Sequence, residues 1–377
     1  MPSLPSPRHL TIHARLLKGC NADCSYCSSW EADPAVRMSP EDFARALSFV
    51  MGEIVPVMGC AGQDSTVSIQ YVGGEILLVP KLELREIVYS AREILQQHFG
   101  TVIDGVQSNL IASERKILDL DSLFNGRIGT SVDGRGSQRT VSGSPDAYRR
   151  IFERSRAILS QRRRRNPGAI FVVDSKGIPN LPSELDAASD RGHPLVLRPV
   201  FSGGRDIESA SVSDLIDCMV SGFDRWAMTS RVAVEPFMHL LNKRLYSGSV
   251  VGGVCPFQRH CAQVSINIEP DGGLYTCLDM ADSRQVPFGN ALKGEFDKET
   301  WAALAARRDN IDPRCARCPF FDACQGGCMS EAIHHTGSIY GRSDLCAVWT
   351  ALFKRIDTLV ATHGRAEVAK WVSTCAR

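Results

Sequence analysis

Fourteen cysteines constrain this chain of 377 residues more than any other feature. Disulfides suit small secreted domains, whose cores are too small to be stable without cross-links. The first ten residues, MPSLPSPRHL, contain no apolar segment of the kind that a signal peptide needs. In a cytosolic chain, clustered cysteines more often serve as thiolate metal ligands. We therefore predict a cytoplasmic protein whose clustered cysteines bind metal.

The cysteines form two groups and three isolated positions. The N-terminal group is Cys20, Cys24 and Cys27, and the C-terminal group is Cys255, Cys261, Cys277, Cys315, Cys318, Cys324, Cys328 and Cys346. The isolated cysteines are Cys60, Cys218 and Cys375. A free cysteine outside a cluster usually behaves as a small buried hydrophobic residue, and we predict that role for these three.

The composition excludes several classes of protein. The chain is 44% hydrophobic and has 43 Lys and Arg residues against 42 Asp and Glu residues, which indicates a globular protein with a net charge of +1. Nearly balanced charge gives no reason to expect nucleic acid or an anionic membrane as a partner. No apolar run reaches the length that a transmembrane helix needs.

Strand and helix patterns alternate over the first two hundred residues. Alternating or apolar runs predict six strands, at 9–16, 66–72, 101–107, 127–132, 169–174 and 195–200. Helical periodicity separates several of them, and the first helix has Ser39 as a candidate N-cap followed by Pro40. This order predicts an α/β fold with a parallel β/α array. Six strands rather than eight favour a partial barrel that is open on one side.

The first group has the spacing CxxxCxxC and directly follows the first predicted strand. Three thiolates cannot complete the usual four-ligand shell of a structural zinc ion. They can hold three irons of a [4Fe–4S] cluster and leave the fourth iron open. The loop after a strand is also the face on which β/α barrels carry out chemistry.

This motif, with the aromatic Tyr26 before its last cysteine, resembles that of the radical S-adenosylmethionine (SAM) superfamily. The resemblance implies a partial (β/α)6 TIM-like barrel, in agreement with the six predicted strands. It also implies that the open iron binds SAM and that Tyr26 lies at the cofactor site. In that family, reductive cleavage of SAM yields a 5′-deoxyadenosyl radical, which abstracts a hydrogen atom from the substrate.

A second motif, Gly73-Gly74-Glu75, ends the second predicted strand. Glycines allow the backbone to approach a ligand closely, and a carboxylate can accept hydrogen bonds from an ammonium group. The segment resembles the GGE motif of the same superfamily, which binds the amine of SAM. By this resemblance Gly73, Gly74 and Glu75 are cofactor-binding residues.

Three further strand ends resemble segments of related peptide maturases. Gln70 corresponds to a glutamine of the second strand, and Gln107 and Asn109 lie in a Gln-Ser-Asn segment similar to a QTN motif. Ser131 and Asp133 lie in Ser-Val-Asp-Gly, similar to an SxDG segment that faces the SAM ribose. The resemblance implies contacts with SAM, and ordinary loop capping is the alternative.

The C-terminal cysteines resemble a SPASM domain, because every interval fits its pattern Cx9–15Gx4C, gap, Cx2Cx5Cx3C, gap, C. With Cys255 as an eighth ligand, the thiolates suffice for two auxiliary [4Fe–4S] clusters, three in the whole chain. By analogy with anaerobic sulfatase maturases, the first auxiliary cluster has the ligands Cys255, Cys261, Cys277 and Cys328. The second has the ligands Cys315, Cys318, Cys324 and Cys346. Two zinc ribbons are the alternative.

The motifs divide the chain into four predicted units. They are a radical SAM partial barrel at 9–205, a helical bridge at 206–254, a SPASM domain at 255–350 and a C-terminal helix at 351–377. Many peptide maturases also carry an N-terminal leader-binding domain, whereas only 19 residues precede Cys20. We therefore expect leader recognition by a separate leader-peptide-binding protein or by another surface.

SPASM proteins mostly modify peptides or proteins, so the favoured hypothesis is a maturase that cross-links or otherwise oxidises a ribosomally made peptide. The alternatives are an anaerobic sulfatase maturase that forms formylglycine, an enzyme that oxidises a small molecule such as an aminoglycoside, and a non-catalytic iron–sulfur scaffold. Sulfatase maturases carry a catalytic Asp directly after the cysteine equivalent to Cys277, whereas here Leu278 intervenes before Asp279. Asp279 is a candidate base or a solvated or capping carboxylate. An external low-potential donor of the flavodoxin or ferredoxin type is expected.

Overall fold

The computed structural model describes residues 9–27, 33, 35–132, 139–164, 166–200, 209–246 and 255–375. The strands in these ranges are β1 His9–Arg15, β2 Asp23–Cys24, β3 Gly62–Val72, β4 Phe99–Gln107, β5 Ile128–Val132, β6 Arg139–Thr140, β7 Ala169–Val173, β8 Leu195–Pro199, β9 Val234–Glu235, β10 Ser265–Ile268, β11 Gly273–Tyr275, β12 Gly289–Asn290 and β13 Glu295–Phe296.

The α-helices of the first half are α1 Pro40–Phe49, α2 Val55–Met58, α3 Lys81–Gln96, α4 Glu114–Leu123, α5 Pro145–Arg163 and α6 Leu181–Arg191. Those of the second half are α7 Val212–Trp226, α8 Phe237–Leu245, α9 Cys261–Val264, α10 Leu278–Asp282, α11 Lys298–Ala306, α12 Pro313–Ala316, α13 Phe321–Cys324, α14 Met329–Thr336, α15 Cys346–His363 and α16 Arg365–Thr374. No helix in the described ranges is both long and apolar enough to span a membrane.

The predicted parallel sheet is confirmed. Strands β1, β3, β4, β5, β7 and β8 correspond to the six predicted strands and pair with one another in chain order, all parallel. The short strand β9 pairs parallel with β8 at the edge. It lies within the predicted helical bridge, and two residues are too few to produce a periodic pattern in the sequence.

The C-terminal region joins the same sheet at its other edge. Strand β10 pairs parallel with β1, and β11, β12 and β13 follow in antiparallel order. The cysteine-rich region is therefore linked to the N-terminal strands by backbone hydrogen bonds as well as by the chain. The end of β1, which leads to the first cysteine group, lies beside the end of β10.

Alternation along the strands separates a helix-covered core from a polar face. Tyr71 of β3 is fully buried and packs between the rings of Phe43 and Phe124, with centroid distances of 6.2 and 5.4 Å. Helix α1 brings Phe43 to this core, and its N-cap Ser39 accepts a hydrogen bond from the backbone N–H of Asp42, as the sequence predicts. The opposite face of the sheet carries polar side chains that are only half-buried.

The C-terminal segment differs from the single helix predicted at 351–377. Helix α15 ends at His363, and Gly364, with φ of 82°, separates it from α16. Both helices pack on the bridge region: Trp371 of α16 contacts Trp226 of α7 edge-on at 4.7 Å, and Arg244 of α8 forms an ion pair with Asp357 of α15. The isolated cysteines Cys60, Cys218 and Cys375 are all buried, which confirms the role predicted for them.

Candidate functional site

The first cysteine group lies on the loop that follows β1. Cys20 is exposed, whereas Cys24 and Cys27 are half-buried. The loop turns tightly, because the backbone N–H of Cys27 donates to the carbonyl of Cys24 at 3.0 Å. Strand β2, which includes Cys24, pairs antiparallel with β6. The segment that carries the three thiols is thus hydrogen-bonded both within itself and to β6.

Gly73 and Gly74 bring the end of β3 against this loop. The backbone N–H of Gly74 donates to the carbonyl of Leu17, and that of Glu75 donates to the carbonyl of Gly19, both at 2.9 Å. A Cβ atom on Gly74 would lie 2.2 Å from the carbonyl oxygen of Gly19 and 2.3 Å from that of Lys18. Gly74 is therefore needed for the close approach of two backbone segments, next to the cysteines.

The Glu75 carboxylate is buried and ties the ends of β3 and β4 together. Its Oε1 accepts from the backbone N–H of Leu77 at 2.9 Å and from the hydroxyl of Ser108 at 2.8 Å. Its Oε2 accepts from the backbone N–H of Asn109 at 2.7 Å. Burial raises the pKa of Glu75, and these hydrogen bonds oppose that rise. An ionised carboxylate offers about four acceptor positions, so one position on Oε2 has no partner among the described residues.

Asn109 connects the same strand ends to the cysteine loop. Its side-chain amide donates to Asn21 Oδ1 at 2.9 Å and to the Cys20 sulfur at 3.6 Å. Asn21 in turn donates to the carbonyl of Ile111 at 2.8 Å. The structure thus brings together Glu75, Asn109 and the first cysteine, three of the residues that the sequence predicts for one site.

Arg139 is a residue at this site that the sequence analysis missed. Its buried guanidinium donates to the hydroxyl of Tyr26 at 2.6 Å and lies over the rings of Tyr26 and Tyr148, at 5.8 and 5.2 Å from their centroids. It is the β6 partner of Cys24. No motif marks this arginine in the sequence, because its position depends on pairing between two-residue strands.

The remaining predicted SAM contacts lie on the half-buried polar face of the sheet. The side chain of Gln70 lies over Gly105 of β4. A Cβ atom added at Gly105 would come within 2.7 Å of Gln70 Oε1. Gln107 lies in the same way across β5 and donates to Ser131 Oγ at 3.2 Å. Asp133 lies outside the described residues. Gln70, Gln107 and Ser131 therefore share one face near the strand ends.

Four of the C-terminal cysteines line a single cavity. The cavity has a volume of about 150 Å³, and its walls include Cys315, Cys318, Cys324 and Cys346 together with aromatic rings. The same four residues form one of the two ligand sets expected from the resemblance. Polarisable thiols around a mainly apolar cavity suit an iron–sulfur cluster, which proteins hold by four cysteine thiolates.

The other four C-terminal cysteines also lie near one another. Burial raises the pKa of Cys277, and the nearby thiols of Cys255 and Cys261 raise it further. Burial likewise raises the pKa of Cys328, and the nearby thiols of Cys255 and Cys277 raise it further. The buried Glu331 also acts on Cys328, and burial raises the pKa of Glu331 to about 8. These four cysteines therefore form a second group beside the open face of the sheet.

Within the described ranges, no three Cys, His, Asp or Glu side chains converge closely enough to hold a single metal ion.

Asp279 lies beside the set that contains Cys255 and Cys277, but it is not isolated. Both of its carboxylate oxygens accept from Nη2 of Arg198, at 2.6 Å each. Arg198 belongs to β8, so this ion pair connects the open face of the sheet to the cysteine-rich region. Asp279, with its neighbouring thiols, holds the pKa of Arg198 above its usual value despite burial.

A buried ion-pair network connects the two cysteine regions at the other edge of the sheet. Arg15, at the end of β1, pairs with Glu269 at 3.4 Å and with Asp282, while Lys18 pairs with Glu269 at 3.0 Å. Arg15 and Lys18 lead directly into the first cysteine loop. The positions of the N-terminal and C-terminal cysteines are therefore coupled through charged side chains as well as through the β1–β10 pairing.

Comparison with known proteins finds a similar fold in solved structures that contain bound AdoMet, the same molecule as SAM. No protein-family model matches the sequence, and no curated protein matches it either. The structure is similar to native anSMEcpe, an anaerobic sulfatase maturase, with bound AdoMet, at a TM-score of 0.71 and 19% identity, covering 94% of this chain and 98% of that one. A second anSMEcpe structure, with bound AdoMet and the Cp18Cys peptide, gives a TM-score of 0.70 at 20% identity over the same shares.

A further similar structure is SuiB from Streptococcus suis bound to precursor peptide SuiA. Its TM-score is 0.60 at 14% identity, and the match covers 90% of this chain and 76% of that one. These structural neighbours are radical SAM enzymes. At such low identities the likeness establishes a shared fold.

Proposed function

We propose that this chain is a radical SAM enzyme with a SPASM domain, which oxidatively modifies a ribosomally synthesised peptide. The observation that carries the proposal is the contact between the CxxxCxxC loop and the Gly-Gly-Glu turn. Gly74 and Glu75 are hydrogen-bonded to the segment before Cys20, and Asn109 reaches the Cys20 sulfur. Three motifs that are distant in sequence thereby meet around one set of thiols.

We infer that the parallel sheet closes into a partial (β/α)6 barrel over residues 9–205. In a flat sheet, β1 and β8 would lie about 24 Å apart, since five intervals of about 4.8 Å separate them. Arg15 on β1 pairs with Asp282, and Arg198 on β8 pairs with Asp279, although both carboxylates belong to the short helix α10. These two contacts support a sheet that curves towards its polar face. The bridge at 206–254 and the SPASM domain at 255–350 would then cover part of the opening.

In this proposal Cys20, Cys24 and Cys27 hold a [4Fe–4S] cluster whose open iron binds SAM. When bound, these groups would supply a 5′-deoxyadenosyl radical that removes a hydrogen atom from the substrate. The remaining acceptor position of Glu75 Oε2 is available to the ammonium group of SAM. Arg139 holds Tyr26 in place and contributes a positive charge beside the thiols.

The side chains of the polar face complete the proposed cofactor site. Gln70, Gln107 and Ser131 lie near the strand ends that meet at the first cysteine group and offer amide and hydroxyl groups to SAM. For Asp133 we propose the contact with the SAM ribose that the sequence predicts. Asp279 remains the candidate base, because each of its oxygens keeps a second lone pair beside the bond from Arg198.

The C-terminal thiols would hold two auxiliary [4Fe–4S] clusters. The sets are Cys255, Cys261, Cys277 and Cys328, and Cys315, Cys318, Cys324 and Cys346. The cavity that contains the second set supports this assignment. A substrate that loses a hydrogen atom to SAM chemistry and a proton to a base leaves one electron, and auxiliary clusters provide an acceptor for it.

The proposed substrate is a peptide. Two of the similar structures have peptides bound, Cp18Cys in anSMEcpe and SuiA in SuiB. A lateral opening in a six-stranded barrel would admit an extended chain. The proposal includes an external electron donor of the flavodoxin or ferredoxin type and leaves leader recognition to a separate protein or another surface of this chain.

A second candidate function is formation of formylglycine in a sulfatase. The likeness to anSMEcpe, which extends over 94% of this chain, favours it. The displaced position of Asp279 and its bidentate pairing with Arg198 weigh against it. Oxidation of an aminoglycoside is the third reaction to be tested, with the same measurements.

The first test is the metal content of anaerobically reconstituted protein. We expect about twelve irons per chain, from three clusters of four. Changing Cys20, Cys24 and Cys27 together to Ala should remove about four irons and all SAM cleavage. About four irons in the parent protein, with zinc in the C-terminal sites, would refute the three-cluster proposal.

The second test identifies the substrate class. The protein, SAM and a reductant are incubated anaerobically with candidate precursor peptides, with a sulfatase-derived peptide or with an aminoglycoside. A peptide substrate should increase 5′-deoxyadenosine formation, lose two hydrogens in mass and transfer deuterium from the attacked carbon to 5′-deoxyadenosine. Transfer from the aminoglycoside alone would replace the peptide proposal with the small-molecule function.

A further inference from the structure

Arg307, at the C-terminal end of α11, is fully buried and bound on two sides by backbone carbonyls. Its Nη1 donates to the carbonyls of Ile339 and Gly341, the latter at 3.2 Å. Its Nη2 donates to the carbonyls of Gly326 and Gly327 at 3.3 and 3.4 Å. Its Nε–H has no hydrogen-bond partner within the described part of the chain. One guanidinium thus binds two separate loops, and its Nε–H donor has no partner among the described residues.

The first of these loops connects cysteines of different sets. Gln325, Gly326 and Gly327 have φ values of 57°, 88° and 74°, so three consecutive residues adopt the left-handed conformation between Cys324 and Cys328. Left-handed backbone favours glycine. Because of this turn, the carbonyls of both glycines point towards Arg307. The other loop that Arg307 binds leads to α15, which begins with Cys346, one of the four cysteines that line the cavity.

Arg307 lies close to thiols of both cysteine sets. Burial lowers the pKa of its guanidinium, and four thiols oppose this: Cys261 and Cys328 from the first set, and Cys315 and Cys324 from the second. Among the described residues, Arg307 forms no ion pair with a carboxylate. A buried cation without a carboxylate partner is costly unless other negative groups are close, and here the thiolates of two sets are the available ones.

We propose that Arg307 is a positioning residue shared by both auxiliary clusters: it fixes the cysteine loops of each set and raises the reduction potentials of both clusters. The inference rests on the proposed function, since it requires clusters at both sets. A cation and hydrogen bonds to sulfur stabilise the reduced, more negative form of an iron–sulfur cluster. The unpartnered Nε–H is the donor available to a cluster sulfur. A shared cation moves both potentials in the same direction and leaves the difference between them nearly unchanged.

The test uses a background in which only the auxiliary clusters remain, namely the Cys20→Ala, Cys24→Ala, Cys27→Ala variant. In this background R307Q, R307K and the control R308Q are compared by iron analysis and by redox titration followed by electron paramagnetic resonance. Arg308 is the adjacent residue, is partly exposed and pairs with Asp309. We expect about eight irons in the parent background, more negative midpoint potentials for both clusters in R307Q, a smaller shift in R307K and none in R308Q.

Several results would overturn the inference. The inference fails if R307Q keeps about eight irons with one or both potentials unchanged. It also fails if R307Q loses only about four irons, which would restrict Arg307 to one set. If R307Q loses all iron, the R307K variant separates the two roles of Arg307, because lysine keeps the positive charge but cannot donate to four carbonyls. Iron retention in R307K, with potentials near those of the parent background, supports the inference, whereas loss of iron there reduces Arg307 to a structural role. Absence of C-terminal iron in the parent background would instead refute the proposed function.

Discussion

Replacing Glu75 separates its structural role from its proposed role in binding SAM. In Glu75→Ala, the backbone N–H groups of Leu77 and Asn109 and the hydroxyl of Ser108 lose their acceptor inside the protein. A buried donor left unpaired costs about 1–3 kcal/mol, so three donors lower the free energy of unfolding by at least about 3 kcal/mol. The alanine variant therefore combines loss of stability with loss of binding.

Glu75→Gln is the sharper perturbation. The amide oxygen can replace Oε1 as acceptor for Leu77 and Ser108, while an NH2 group takes the place of Oε2. The new NH2 faces the N–H of Asn109, which lowers the free energy of unfolding by about 1–3 kcal/mol. It also removes the acceptor proposed for the SAM ammonium group. A charge-assisted hydrogen bond is worth about 1.5–3 kcal/mol, so the Kd of SAM should rise by about 10- to 150-fold.

Two further variants make this measurement decisive. Ser108→Ala removes one donor to Glu75 and the acceptor of the Leu110 backbone N–H, but it leaves the carboxylate charged. It should therefore lower stability by about 1–3 kcal/mol and leave the Kd of SAM nearly unchanged. Glu83→Gln is the control, since Glu83 pairs with Arg37 at the surface. SAM binding is measured by anaerobic calorimetry and stability by urea unfolding. Unchanged SAM affinity in Glu75→Gln, with reduced stability, would show that Glu75 only ties the strand ends together.

Three other residues give independent predictions. R139Q should decrease SAM-dependent 5′-deoxyadenosine formation and leave about eight irons at the C-terminal sets; chromatography and iron analysis check this, and loss of C-terminal iron would contradict it. Burial lowers the pKa of His193 from 6.5 to about 4. Between these two pH values the unfolded state binds more protons than the folded state, so the free energy of unfolding decreases as the pH falls, by up to about 3 kcal/mol. H193Q should weaken that dependence in urea unfolding, whereas H363Q at the exposed His363 should not. D279N should stop substrate oxidation and preserve substrate-independent SAM cleavage if Asp279 is the base; an R198K variant with the same defect would instead indicate that the ion pair with Arg198 is what matters.

Local patterns were sufficient to predict the parallel half of the fold. The helix after Ser39 combines an N-cap, a proline at its first position and an apolar stripe, and all three signals act within one helical turn or along one face. The main strands have long apolar or alternating runs, so their approximate bounds follow from the sequence. Strand β9 and the break at Gly364 were not predicted, because the first is too short to be periodic and the second depends on a single residue.

The site was predictable where motifs have fixed spacing and not where side chains converge from distant elements. The motif residues Glu75 and Asn109 meet near Cys20 as expected, but the sequence could not show that the Glu75 carboxylate already accepts three hydrogen bonds. Arg139 and Arg307 belong to no motif. Each acquires its position from tertiary contacts, through a two-residue strand in one case and four loop carbonyls in the other.

The crossing of the cysteine sets has a local physical cause that spacing does not reveal. Cys324 ends α13 and Cys328 immediately precedes α14. In a continuous helix, residues four apart lie on the same face, and both thiols would point into one cavity. The left-handed turn at Gln325, Gly326 and Gly327 interrupts the helix, so that Cys324 lines the cavity with Cys346 while Cys328 lies with the other set. Arg307 binds the carbonyls of this turn and lies close to thiols of both sets, so it fixes the segment that separates them.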